Sequence, residues 1–378
     1  MSSEEVHTFA RREVLPSLAD RYEKRAFSRD LWKKMAEAGL FGYLIPARYG
    51  GSDQGPGELV EAIEAFIRGG QDLGLCLAWL DHLLIHSHVI ARFGSEKQRE
   101  KHLPALVAGD RIGALAASEP EAGANPVKMQ AQAEKREDTY RIRGHKIFIT
   151  NGPVADLIIV LARTGPAPGK EGISAFLLDT ATQGFRVKNE MDFGFLHTSP
   201  HGELLFEDCL VPTENLLGRL GDGHVRISRA VFGWERFMGA VTLAAHFGSI
   251  LDQMVRLITE NGAPPDQQTR KLVAELHITL EGLRESAKGL ACEVLERNDL
   301  DLRLTERLLF LVRLLTQWWE QLEPLRERLG EDPGFPLGIL LKDAHLLDVN
   351  RRLYELQTVR VFEERFKRVA VQESMVDT

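Results

Sequence analysis

The sequence predicts an α+β fold in three consecutive parts: an N-terminal helical domain, a small central β-barrel or sandwich, and a C-terminal four-helix bundle. Three observations carry this. Apolar residues recur at helical spacing before about residue 110 and again after about residue 223. Between them lie short alternating or β-branched runs separated by Gly, Asn and Pro turns. The 378-residue length exceeds what a single core usually fills, so two or three domains are expected. The boundaries are set at 1–110, 111–222 and 223–378.

In the first part, Ser28 is suited to cap a helix from about Arg29, with Leu31, Met35 and Leu40 on one side. Residues 49–57, YGGSDQGPG, form a Gly- and Pro-broken loop. A nearly wholly apolar helix over about 74–93 is expected to be buried, and an amphipathic one follows over about 97–108. In the second part, strands are predicted at 113–117, 140–143, 146–150, 156–162, 173–178 and 203–206. Gly144, Asn151-Gly-Pro153 and residues 165–169 are the turns between them. In the third part, Phe237, Val241, Ala244, Phe247, Leu251, Met254 and Ile258 mark one helix, and Leu272, Leu276, Leu280, Leu283, Ala287 and Leu290 a second. A third covers about 304–329 with a kink at Pro324, and a fourth begins near Leu337.

Composition narrows the function. The net charge of -8 and the absence of a long Lys/Arg run speak against a nucleic-acid partner. No run of 18 consecutive apolar residues marks a membrane span, and the charged start MSSEEVHTFARREVLP is unlike a signal peptide. Cys76, Cys209 and Cys292 are scattered, which fits a reduced, cytoplasmic setting. His82 and His86 share a helix face, but His82-Leu-Leu-Ile-His86 lacks the glutamate of H-E-x-x-H, so no metal is expected. One residue stands out. Glu235 is an acid between Trp234 and Phe237 near the start of the third part's first helix. Such a carboxylate can serve the helix dipole or be a base held in an apolar place.

Three motifs carry a resemblance. Ala117-Ser-Glu-Pro-Glu-Ala-Gly123 is similar to an S/T-E-P-x-A-G turn, and Gly144-His-Lys-Ile-Phe-Ile-Thr-Asn-Gly152 to G-x-K-x-W/F-I-T-N-G/A. Phe206-Glu-Asp-Cys-Leu-Val-Pro212 with Asn215-Leu-Leu-Gly218 is similar to F-E-D-V-x-V-P followed by N-x-L-G. In this order, between two helical regions, they resemble the acyl-CoA dehydrogenase family over the whole chain. The resemblance implies FAD as cofactor, with Leu115, Ala117, Ser118, Gly123, Ala124, Phe148 and Thr150 as its contacts. It implies removal of a proton alpha to a thioester while the beta hydrogen leaves as hydride to the flavin.

The family's glutamate usually lies in P-V-E-x-x-x-R-D-A, but Pro336-Leu-Gly-Ile-Leu-Leu-Lys-Asp-Ala344 has Gly338 there. Isovaleryl- and long-chain-type members resemble this chain in taking the glutamate from an earlier E-R-L/F context, here Glu235-Arg236-Phe237. The resemblance therefore implies Glu235 as base, desolvated by Trp234 and Phe237, with Gly338 leaving room. Expected partners are an acyl-CoA or acyl carrier protein thioester, an electron-transfer flavoprotein or oxygen, and further copies in a homodimer or homotetramer.

The chain departs from the family where the adenine half of FAD is held. Thr259-Glu-Asn-Gly-Ala-Pro-Pro265 replaces R-x-x-F-G, Leu325-Arg-Glu-Arg-Leu-Gly-Glu331 replaces Q-x-x-G-G-x-G-Y, and Leu353-Tyr-Glu355 stands near the usual T-x-Q. Ala124 replaces a frequent serine, and Phe193-Gly-Phe-Leu-His-Thr198 lacks the usual arginine. Two alternatives therefore stand beside the acyl-thioester dehydrogenase. One is a same-fold flavoenzyme oxidising a carrier-bound hydroxyacyl or aminoacyl group. The other is a flavin-poor binding protein.

Overall fold

A computed structural model describes residues 1–123, 125, 127–165, 172–260, 265–297, 301–329, 333–349, 358 and 361. The chain forms two compact units, Met1–Glu235 and Arg236–Thr378.

The first unit begins with α1 (Ser3–Phe9), α2 (Leu18–Lys24), α3 (Arg29–Glu37) and α4 (Pro56–Gly70). The Ser28 cap forms as anticipated: its Oγ accepts the Leu31 N–H at 3.1 Å, and Leu31, Met35 and Leu40 are buried. Next come α5 (Leu73–Leu80), a π-helical continuation (Asp81–Ser87), α6 (His88–Phe93) and α7 (Glu96–Val107). The 21 residues Leu73–Phe93 are long and apolar enough to cross a membrane, yet 83% of their 18-residue apolar window is buried inside the fold. This is a core helix. Asp72 fastens its start, receiving the Leu75 N–H at 2.9 Å, Arg21 Nη1 at 2.6 Å and Thr198 Oγ1 at 2.5 Å.

The sheet of this unit contains β1 (Gly113–Ala116), β2 (Gln132–Arg136), β3 (Thr139–Thr150), β4 (Leu157–Arg163), β5 (Ile173–Asp179), β6 (Phe185–Glu190), β7 (His201–Pro212) and β8 (Leu216–Leu217). It is one connected mixed sheet in the order β6-β7-β3-β2-β4-β5-β8, with β1 paired parallel to β4. Its core collects Ala114, Ile142, Ile158, Phe176, Leu204 and Phe206, with Phe185, Val187 and Leu216 packed against them.

Three sequence expectations change here. Gly144 is not a turn: β3 runs through it with a register shift between Ile142 and Gly144. A Cβ there would stand 2.6 Å from the Ala131 Cβ, so the glycine serves close approach within the sheet. The β2 and β6 strands were not anticipated, because QAEKR and FRVKNE carry little apolar signal and keep most side chains exposed or half-buried. The β7 strand is three times as long as the 203–206 core that its apolar residues mark, at 12 residues.

The long helix α8 (Arg229–Glu260) starts in the first unit and continues into the second. The second unit adds α9 (Gln267–Arg297), α10 (Leu302–Gln321), α11 (Glu323–Leu329) and α12 (Leu337–Asp343). The expected kink is a break at Leu322, and Pro324 sits in the first turn of α11, where its missing N–H costs nothing. Within the unit Phe247 stacks on Trp318 (5.0 Å between centroids, 12° between planes), and Trp318 Nε1 donates to the Leu276 carbonyl at 2.8 Å. His246 Nε2 pairs with the Leu340 carbonyl at 2.8 Å, tying α8 to α12.

Candidate active site

The S-E-P turn is closed by two backbone bonds: the Glu119 N–H to the Gly123 carbonyl at 2.9 Å and the reverse at 2.8 Å. Gly123 has φ +55°, a left-handed conformation in which glycine escapes the Cβ penalty. The turn is docked on β3, because the Ile147 N–H donates to the Ser118 carbonyl at 2.9 Å. Ser118 therefore lies beside Phe148, and Thr150 follows at the end of the same strand. Thr150 and Ser118 are both half-buried.

Phe148 is the least ordinary residue of β3. Its φ is +60°, the ladder slips between Lys146 and Ile149, and its side chain is 53% exposed. A bulge is how a strand re-aims one side chain, and strain of this kind collects at functional sites. The exposed ring has Phe193 6.0 Å away, and Phe193 faces His201 at 5.0 Å. Leu115 alternates with Ala114 and Ala116, which face the sheet core, so its half-buried side chain points the other way. Ala117 is buried and precedes the turn. Leu115 thus lies on β1, Ala117, Ser118 and Gly123 in the segment and turn that follow it, and Phe148 and Thr150 on β3, to which the turn is bonded; Ala124 lies outside the described residues. An aromatic face held out of the sheet, two hydroxyls beside it and an apolar strand together suit a flavin ring.

Beneath the turn is a buried ion pair that the sequence reading did not assign. Glu119 is 3% exposed and Lys146 0%. Lys146 Nζ donates to Glu119 Oε1 at 2.9 Å and to the Ala117 carbonyl at 3.0 Å. The other Glu119 bonds come from the Gln130 N–H (2.6 Å) and the Ala131 N–H (2.9 Å). Burial pulls the Lys146 ammonium down to about 8, against the opposing pull of Glu119. The available signal was a charged residue inside each of two adjacent motifs.

The strand end is bolted to the core helix. Asn151 has φ +60°, and its Nδ2 donates to the Ala78 carbonyl at 2.8 Å. His82 spans the next step: its Nδ1 accepts the Gly113 N–H at 3.0 Å and its Nε2 meets the Leu106 carbonyl at 3.0 Å. Both ring nitrogens are thereby committed to backbone groups in the neutral tautomer.

Glu235 does not sit as the sequence suggested. It is in the second turn of α8, preceded by a π-helical stretch (Gly223–Ser228), so it is too far in to serve the helix dipole. It is exposed, whereas Trp234 and Phe237 are buried at 0% and 1%. The expected shielding by these aromatics is corrected: positions i−1 and i+2 do not share a face with i on a helix. Trp234 instead packs its ring 4.9 Å from His88. Asp81 lies close enough to feel the Glu235 charge; burial first, and that charge second, hold its carboxyl well above the usual carboxylate range. Gly338 has open space where a Cβ would stand. The altered stretches at 261–264, 330–331 and 353–355 lie outside the described residues.

Residues 1–110 match the model of the acyl-CoA dehydrogenase N-terminal domain, and residues 114–209 that of the middle domain. The chain is 31% identical to a mitochondrial isovaleryl-CoA dehydrogenase of Oryza sativa over 96% of its own length and 90% of the relative's. It is 34% identical to an L-prolyl-[peptidyl-carrier protein] dehydrogenase of Pseudomonas fluorescens, covering 69% and 70% of the two chains. Its fold matches an FAD complex of PigA with TM-score 0.81 at 27% identity, covering 90% of each.

Proposed function

The chain belongs to the acyl-CoA dehydrogenase family, and on that premise we propose that Glu235 is the base of its reaction and that Ser118, Phe148 and Thr150 hold the flavin ring. The chain is an FAD-dependent oxidoreductase that dehydrogenates acyl thioesters. When bound, FAD supplies the hydride acceptor for the beta hydrogen. The carboxylate of Glu235 takes the alpha proton, and the product is the α,β-unsaturated thioester. Proton removal pushes negative charge onto the thioester oxygen, which needs donors aimed at it. Hydroxyls at Ser118 and Thr150 orient the ring, and the exposed face of Phe148 packs on it.

One observation carries the assignment of Glu235. Its charge reaches Asp81, and the helix leading into Asp81 is bonded through Ala78 to Asn151, next to Thr150. Both the Glu235 carboxylate and the strand that carries Phe148 and Thr150 thus adjoin the helical stretch Leu73–Phe93, which supports the reading. Because Glu235 is exposed and its aromatic neighbours turn away, the acyl group itself must exclude water from the carboxylate.

The test is Glu235→Gln. FAD content should match wild type while anaerobic flavin bleaching by substrate slows about 10²–10⁴-fold. Retained bleaching would refute the base. The handle is CoA or a carrier protein's phosphopantetheine, and the same acyl group offered on each separates them. The electron acceptor is an electron-transfer flavoprotein or oxygen, the assembly a homodimer or homotetramer, and the setting cytoplasmic. Acceptor-dependent turnover and light scattering test the first two.

A further inference from the structure

Asp81 is out of place in a site built for a plain hydrocarbon chain. It follows α5 directly, three residues after Ala78, whose carbonyl takes the bond from Asn151 at the end of β3. It precedes His82, whose Nδ1 takes the N–H of Gly113 at the start of β1. Two bonds to the flavin-facing strands therefore fix the turn that carries it. The same helical stretch also meets α8, through His88 against Trp234 and through Asp81 within reach of the Glu235 charge. Asp81 Oδ2 is buried and has no hydrogen-bond partner among the described residues. Its neighbours Leu80, Leu83, Leu84 and Ile85 are buried apolar residues and offer no side-chain donor. A buried carboxyl oxygen left bare is rare enough to demand an explanation.

We infer that Asp81 determines specificity in the acyl site: its carboxyl receives an N–H from an amine carried by the acyl group, so aminoacyl thioesters are preferred over plain alkanoyl ones. This rests on the reading of Glu235 as base, because nearness to that residue is what assigns Asp81 to the acyl site. An amine answers both features of the position. It donates, as the bare Oδ2 requires. Its positive charge also lets Asp81 ionise where burial and the Glu235 charge otherwise keep the proton on. A hydroxyl would supply only the first. The reaction is unchanged: alpha proton to Glu235, beta hydride to FAD.

The test uses the FAD-loaded full chain and two matched pairs of pantetheine thioesters. They are L-prolyl against cyclopentanecarbonyl, and L-valyl against isovaleryl. Anaerobic calorimetry reads Kd, and flavin bleaching reads the rate. Wild type should bind the amine member of at least one pair about tenfold more tightly or better. Asp81→Leu should erase that preference, and the near-isosteric Asp81→Asn should weaken it, which also covers the case in which the leucine variant does not fold. Equal or tighter binding of the nitrogen-free member in both pairs overturns the inference, as does a preference that survives both substitutions. Glu235→Gln separates the two readings. Bleaching that persists in that variant, with an Asp81-dependent Kd preference, removes the base and keeps Asp81. Lost bleaching without a preference does the reverse.

Discussion

Lys146 is a fully buried ammonium that survives because Glu119 and the Ala117 carbonyl receive it. Both members are buried, so neither can lose its partner cheaply. Glu119→Gln leaves the ammonium without its counter-charge, and Lys146→Met leaves a buried carboxylate. Each should cost about 3–5 kcal/mol, while the double variant, which removes both charges, should recover much of the loss. Glu119 also receives the Gln130 and Ala131 N–H groups, so its loss should loosen the Ser118 turn and lower FAD occupancy more than Lys146→Met does. Thermal melts and flavin absorbance of the three proteins check this; additive losses in the double variant would show that the pair is not coupled. Motif matching picked out the residues proposed to face the flavin but not this pair, because a buried charge and an exposed one read alike in sequence.

Among the elements, the core helix through Leu73–Phe93 and strands β1 and β3 carry the proposed site. Their spacing is set by Gly113: a Cβ there would stand 2.1 Å from His86 Nδ1 and 2.3 Å from its Cγ. Gly113→Ala should therefore push the helix off β1, costing about 1–3 kcal/mol and weakening FAD retention. Adding His86→Ala should relieve the overlap and restore part of both. Calorimetric melts and FAD titration decide, and a Gly113→Ala protein as stable as wild type would mean the helix is not held this tightly. These elements were legible to different degrees. Apolar runs at 74–93 and 156–162 announced the core helix and β4, because burial writes itself into composition. The polar β2 and β6 were silent, since half-exposed strands draw their pairing from neighbours distant in sequence. Gly144 misled for a related reason. A glycine marks a turn or a close approach equally well, and only the Ala131 contact distinguishes them. Glu235 stood out by its context and is proposed as the base, but its exposure was not legible, because flanking aromatics in sequence are not flanking aromatics on a helix.

At the scale of the whole molecule, the first unit buries an unusual set of histidines. His82 and His86 are fully buried and His102 nearly so, while His88 packs against Trp234. Burial holds His82, His88 and His102 down to about 4, and His86 well below its ordinary value. An unfolded chain protonates these rings near pH 6.5. Between about pH 4 and 6.5 the unfolded state therefore binds protons that the folded state refuses, and stability must rise with pH across that window. Asp81 works the other way. Its raised carboxyl keeps a proton that the unfolded chain releases above about pH 4, so it lowers stability as pH rises. His201 is held down by burial as well, so five histidines stand against one aspartate, and the net slope favours the folded state as pH rises through that window. Melting temperature measured from pH 7.5 down to pH 4.5 should be flat at first and fall steeply below about pH 6.5. His82→Gln shortens the list by one and should make the fall shallower even if it lowers the starting value. A melting temperature that holds or rises over that range would mean that these rings are not buried in the neutral form.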